Sequence, residues 1–261
     1  MEFNDVSNMD GKILFMSMFI SKERKISLVK GGGIQYIYGH EETFIDFIIN
    51  KYLPVSGNIL DIGGGGLRFA IPAALQDKIV TVVDSDQDSL NVPDIVNRVN
   101  KNGKITVSLK KIQARIKTVK SDIFNYLEKT AESYSLISAF RVIHFFGPDE
   151  IEIFFRLISS KLDKDGIFAV SAMSAYNNKN FKEFNEFYLN SSAVYLNNEL
   201  YRKFNSTLKA DNIKKEQNLP MYLHFIDTDF ISSKAEQYGF KVLERDILST
   251  RVVNGYVLKK L

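Results

Sequence analysis

Apolar residues in this chain fall into two kinds of segment: short unbroken runs and stripes at helical spacing. In residues 41–53, Phe44, Phe47, Ile48 and Tyr52 share one helical face. Glu41 and Glu42 lie near the start and Lys51 near the end, charges that match the helix dipole. Pro54, Ser56 and Gly57 break that helix, and Asn58–Ile62 follows as a short buried strand. Beyond Gly63–Gly66, Leu67–Leu75 has a helical pattern. Pro72 cannot donate a backbone hydrogen bond and belongs in its first turn, so regular helix is expected from about Phe69. Lys78–Asp84 is a second apolar strand, Ile116–Lys120 a third and Ser135–Phe140 a fourth; the polar stretch 87–115 between them reads as two helical pieces broken at Asn102-Gly103. Residues 148–162 form a helix with Pro148 at its first position and a stripe of Ile151, Phe154, Phe155, Ile158 and Leu162. Asp165-Gly166 then turns into a fifth strand, Ile167–Ala172.

Strand and helix alternating in this way imply parallel strands joined by crossover helices, hence a doubly wound α/β sheet. The alternation stops after the fifth strand. Residues 175–222 are polar, helix-prone and rich in aromatics, with no strand signal. A helix over 228–238 ends at Gly239, which suits a glycine cap. Two strands, Lys241–Arg245 and Arg251–Leu258, are joined by a short loop suited to antiparallel pairing. The organisation expected is an N-terminal extension, 1–40, packing near the ligand site, and one domain, 41–261, with 175–222 as a helical lid or insertion. Tyr36 and Tyr38 are the residues of the extension placed to reach over a ligand. Phe181, Phe184, Phe187, Tyr188, Tyr195, Tyr201, Phe204 and Tyr222 either wall a pocket or form the small core of an embellishment.

Composition narrows the chemistry. The 261 residues suffice for one full core, and a net charge of +3 with scattered basic residues gives no nucleic-acid footprint. The absence of cysteine excludes disulfides, cysteine zinc ligands and a thiolate nucleophile, and fits a reducing compartment. The apolar run Ile13–Ile20 follows acidic residues and precedes basic ones, the wrong polarity for a signal peptide. No run reaches the length of a membrane span. A soluble, cytoplasmic protein without a membrane partner is expected.

In doubly wound sheets ligands bind at the carboxyl ends of the strands. Three features fall there: Asp61 with Gly63–Gly66 after the first strand, Asp84 ending the second, and Asp122 just past the third. Glycines let the backbone pass close to a ligand. Asp84 can accept both hydroxyl protons of a ribose, and Asp122 an adenine amine. Either aspartate could instead cap a helix. The dinucleotide fingerprint G-x-G-x-x-G fails, because its third glycine falls on Arg68 or Phe69. Asp61 would repel a diphosphate but suits an ammonium. S-adenosylmethionine carries an ammonium, a sulfonium and no phosphate.

Residues 58–74 (NILDIGGGGLRFAIPAA), Val82-Val83-Asp84-Ser85, Lys120-Ser121-Asp122, 134–145 (YSLISAFRVIHF) and 162–172 (LDKDGIFAVSA) resemble, in order, the motifs of class I S-adenosylmethionine-dependent methyltransferases. The resemblance covers about residues 40–175, and the strands over 241–258 are similar to that family's closing hairpin. It implies a mostly parallel, seven-stranded Rossmann-like sheet with the last strand antiparallel. It also implies roles. Asp61 orients the methionine amino group, with water between them, Gly63, Gly64 and Gly65 lie against the methionine part, and Asp84 with Ser85 holds the ribose. Asp122 takes the adenine amine with Ile123 beside the ring, and Phe140 and Arg141 flank the methionine part. The sequence departs from the family at Leu67, usually the third glycine, at Ser135, usually aspartate, and at Asp165, usually glycine.

His144 follows the fourth strand, where it either acts as general base toward the acceptor or packs between Ile143 and Phe145. Three separated histidines form no metal cluster. Ala139-Phe140-Arg141-Val142 is not the Asn/Asp-Pro-Pro-aromatic tetrad of nucleic-acid amino-methyltransferases, and cytosine C5 methylation by the covalent route needs a cysteine. No carboxylate cluster follows the fourth strand to hold magnesium. A lid after the fifth strand is common in small-molecule methyltransferases of this class, so a small acceptor is expected, by fold-level analogy, with nucleic acid and protein acceptors left open. The competing readings are a non-catalytic ligand sensor or partner-binding scaffold and, third, a nicotinamide-dependent oxidoreductase.

Overall fold

The computed structural model describes residues 26–27, 35–36, 40–102, 107–173, 193–196, 223–226, 228–245 and 253–261. Seven strands form one sheet: β1 Ile59–Ile62, β2 Val80–Asp84, β3 Ile116–Lys120, β4 Tyr134–Phe140, β5 Leu162–Met173, β6 Phe240–Glu244 and β7 Val253–Lys260. Their order across the sheet is β6-β7-β5-β4-β1-β2-β3. The pairings β4–β5, β1–β4, β1–β2 and β2–β3 are parallel, and β7 alone runs against its neighbours β5 and β6. The order reverses between β1 and β4. That switch point opens a crevice at the carboxyl ends of the strands.

Alternation along the strands splits the core between the two faces. Ile59, Leu136, Ala169 and Val257 face one cluster with Phe44, Ile48 and Phe69. Leu60, Ile137, Phe168 and Tyr256 face the other with Phe154, Phe155 and Ile231. Both faces are covered by helices, which is why β1 and β2 read as unbroken apolar runs. Helix α1 His40–Lys51 is tied to β6 through Glu244, which accepts from Lys51 and, at 2.7 Å, from the Tyr52 hydroxyl. Helices α2 Ala70–Leu75, α3 Val92–Asn102 and α4 Leu109–Gln113 follow, the last two being the pieces expected across 87–115. Helix α5 Ile123–Lys129 crosses from β3 to β4 and α6 Pro148–Lys161 from β4 to β5. Helix α7 Thr228–Gln237 precedes Gly239, whose φ of 75° is the expected left-handed cap. Edge strand β3 exposes Lys117 and Lys120, charges that discourage further pairing.

Two departures from the family pattern have local explanations. The Ser135 hydroxyl donates to Asp163 at 2.9 Å, tying the start of β4 to the start of β5. Asp165 takes the left-handed φ of 64° that a glycine would adopt freely, and Lys259 pairs with it at 2.8 Å.

Within 175–222 the structure differs from the expectation of no strand. Ala193–Leu196 pairs antiparallel with Leu223–Ile226, and both four-residue segments have the β-branched and aromatic character of strands. The second of them packs against β5 and the turn after β4. The rest of the segment, like most of the N-terminal extension including Tyr38, lies outside the described residues. Among the described residues no helix is long and apolar enough to cross a membrane.

Candidate functional site

A cavity of about 390 Å³ sits over the carboxyl ends of β1 to β4, inside the range of about 300–1,000 Å³ usual for small-molecule sites. Gly63, Gly65, Asp84, Ser85, Asp122, Ile123, Phe140 and Arg141, eight residues singled out from the sequence, line it together.

The loop from Gly63 to Leu67 is a cradle that side chains would fill. Gly63 has φ of 60°, and a Cβ there would lie 2.4 Å from the Val142 Cγ2. Its N–H donates to the Val83 carbonyl at 2.8 Å, pinning the loop to the end of β2. A Cβ on Gly65 would come within 3.0 Å of the Asp84 Oδ2. Gly66 and Leu67 are consecutive left-handed residues, with φ of 78° and 57°. Leucine therefore preserves the backbone conformation usual for glycine. The conformation costs about 1–2 kcal/mol, and full burial of the Leu67 side chain returns about 1.5–3 kcal/mol.

Asp61 and Gly64 stand behind the cavity wall. The Asp61 carboxylate is 2 % exposed and accepts from the Ser138 hydroxyl at 2.7 Å. A Cβ on Gly64 would lie 2.5 Å from the Asp61 Oδ2, so the loop rests on this carboxylate. Burial pushes the Asp61 carboxyl up to about 7; the bond from Ser138 opposes the rise and the charge of Asp84 adds to it. Burial also raises Asp84, against N–H donors from Asp86, Gly65 and Ser85 that favour its ionised form. Its Oδ1 accepts from the Asp86 N–H at 2.9 Å, so Asp84 closes a local turn and caps no helix.

Asp122 does cap a helix: its Oδ1 accepts from the Asn125 N–H at 3.1 Å at the start of α5. The same side chain lines the cavity. A carboxylate has about four acceptor positions, so capping leaves acceptors for a ligand.

After β4 the chain turns at Arg141, left-handed with φ of 58°, whose N–H is held by the Ser171 carbonyl at 3.0 Å and hydroxyl at 3.1 Å. Arg68 is buried, and that burial, then the like charge of Arg141, lowers its guanidinium to about 9. His144 sits in the 3₁₀ turn Ile143–Phe145, 1 % exposed, with its ring centroid 4.1 Å from that of Phe145. It is not on the cavity wall, which is formed there by Val142, Phe145 and Phe146.

Ser138, Ser171, Ser89, Ser121 and the Phe145–Phe146 pair complete the site and were not singled out from the sequence. Ser138 and Ser171 did leave a signal, as hydroxyl residues inside otherwise apolar buried strands. Among the described residues no group of acidic or histidine side chains could hold a metal ion.

No family model and no curated protein matches the chain. Solved structures do share its fold. The magnesium protoporphyrin IX methyltransferase of Synechocystis PCC 6803, with S-adenosylhomocysteine bound, is 13% identical with a TM-score of 0.53, over 85% of this chain and 84% of that one. An S-adenosylmethionine-dependent methyltransferase of Methanosarcina mazei is 14% identical with a TM-score of 0.56, over 82% and 97%. The 1,6-didemethyltoxoflavin-N1-methyltransferase of Burkholderia thailandensis is 14% identical with a TM-score of 0.55, over 83% and 76%. The fold of this chain is that of the class I S-adenosylmethionine-dependent methyltransferases.

Proposed function

We propose that the chain binds S-adenosylmethionine in this cavity and transfers its methyl group to a small-molecule acceptor. The observation that carries the reading is the meeting of Asp84, Asp122 and the glycine cradle on one cavity at the switch point of the sheet. Asp84, with Ser85 beside it, accepts from the ribose hydroxyls, and Asp122 accepts from the adenine amine against Ile123. Gly63, Gly64 and Gly65 give the methionine part its close approach, flanked by Phe140 and Arg141. Arg68 and Arg141 put positive charge at the end that takes the carboxylate, and Asp61 orients the ammonium through water. The cofactor supplies an activated methyl group on a cationic sulfur.

The protein's part in the transfer is alignment and exclusion of water. Orienting acceptor and methyl group can contribute roughly 7–11 kcal/mol, and the apolar wall of Val142, Phe145 and Phe146 keeps water from the reacting centre. Of the two roles open to His144, its burial beneath Phe145 supports packing over proton transfer. Structural neighbours named for a porphyrin, a didemethyltoxoflavin and a glycopeptide support a small-molecule acceptor. The strand Leu223–Ile226, which packs on β5 and the turn after β4 and pairs with Ala193–Leu196, supports a lid formed by 175–222. A cysteine-free chain suits the reducing cytoplasm. Preservation of the left-handed backbone at Leu67 favours binding over a scaffold that has lost it. Release of S-adenosylhomocysteine from S-adenosylmethionine and a metabolite pool separates transfer from sensing.

The role of Asp61 is tested through pH. Because an ammonium favours the ionised carboxylate, ligand binding expels a proton wherever Asp61 still holds one. Affinity for S-adenosylhomocysteine accordingly rises with pH up to about 7 and levels off above it. Linkage to stability has the other sign. The folded protein without ligand binds the extra proton between the ordinary value of 3.8 and about 7, so the contribution of Asp61 to stability falls as pH rises through that window. Calorimetry at pH 6 in buffers of different ionisation enthalpy registers the released proton, and Asp61→Asn abolishes it. An affinity independent of pH in the wild type removes Asp61 from ligand binding.

A further inference from the structure

Phe145 is exceptional among the described large apolar residues. Val55, Ile79, Leu261 and Phe145 are the exposed ones, and of these Phe145 alone, at 46 %, lies on the cavity wall. An apolar ring held in water at a cavity wall gains from a ligand face laid against it.

Its pose is fixed from behind. The Phe145 N–H donates to the Val142 carbonyl at 3.0 Å, and the ring is backed by that of buried His144. The next residue, Phe146, packs on Phe124 and Phe154 with centroids 5.0 and 5.1 Å apart. The position of the turn indicates what lies against the exposed face. It leaves β4 on the side of β5, and the strand Leu223–Ile226 packs beside it. The carboxylates for the adenosine, Asp84 and Asp122, lie at β2 and β3, on the far side of β1.

We infer that Phe145 is the residue that selects the acceptor, and that the acceptor presents a flat aromatic face to it. This rests on the cofactor reading of the same cavity. The test uses 2-naphthol as probe, followed by its fluorescence, which the tryptophan-free chain leaves clear. Protein saturated with S-adenosylhomocysteine is expected to bind naphthol. Phe145→Ala weakens naphthol by about tenfold more than it weakens S-adenosylhomocysteine, and Phe145→Tyr restores it. Equal losses for the two ligands, an unchanged naphthol affinity, or no naphthol binding by the wild type overturns the proposal. If the wild type fails to bind S-adenosylhomocysteine, the cofactor reading fails instead. In that case naphthol is titrated alone: a loss of about tenfold on Phe145→Ala, restored by Phe145→Tyr, keeps the aromatic face at Phe145, and an unchanged affinity overturns it.

Discussion

Replacing Asp84 with alanine lowers the affinity for S-adenosylhomocysteine by about 100-fold or more while the chain stays folded. Hydrogen bonds to a charged acceptor contribute about 1.5–3 kcal/mol each, and two ribose hydroxyls on one carboxylate therefore account for at least two decades of affinity. The variant also releases the Gly65 and Asp86 N–H groups that the carboxylate holds, which loosens the cradle facing the ligand. Folding is not the casualty, because burial already disfavours this ionised side chain. Asp84→Asn keeps an acceptor but loses the charge, and falls between the wild type and the alanine variant. Titration calorimetry measures all three. An alanine variant that binds as the wild type does would place the ribose elsewhere.

The second large effect is on stability and inverts the usual order of two substitutions. Leu67 is fully buried and left-handed. Leu67→Ala removes the buried side chain, a loss of about 2–5 kcal/mol, and keeps a Cβ in the unfavourable conformation. Leu67→Gly loses the same side chain but relieves the backbone, so it is more stable than the alanine variant by about 1 kcal/mol. In a regular helix glycine would be the worse of the two by about that amount. Urea denaturation of the three proteins gives the order Leu67, then Gly, then Ala. If alanine is the better replacement, the left-handed conformation at Leu67 is refuted, and with it the argument that the loop keeps its ligand-binding shape.

Strands β1 and β2 could be read from the sequence because each is a short apolar run, the first closed by glycine and the second by a carboxylate. Asp61, Asp84 and Asp122 stood out because a charge at the end of such a run has no structural reason to be there unless it caps a helix. Asp122 turned out to do both. The strand pair 193–196 with 223–226 was not legible. Each segment is only four residues long, and its partner lies across a stretch of aromatic and polar residues whose composition favours helix. The sequence offered His144 as a base or a packed ring and Phe145 only as its packing neighbour, because the 3₁₀ turn after β4 decides which of the two is buried and which lines the cavity. Ser138 was missed for a similar reason: it matters through its register opposite Asp61, which only the β1–β4 pairing reveals.

The most direct test of the central claim is calorimetric titration of the purified wild type with S-adenosylhomocysteine and, separately, with NAD. Saturable one-site binding of the first, weakened about 100-fold or more by Asp84→Ala, and none of the second is expected, since the loop lacks the third glycine of a dinucleotide site and rests on the Asp61 carboxylate. Binding of NAD in preference, or no binding of S-adenosylhomocysteine by a folded protein, would contradict it.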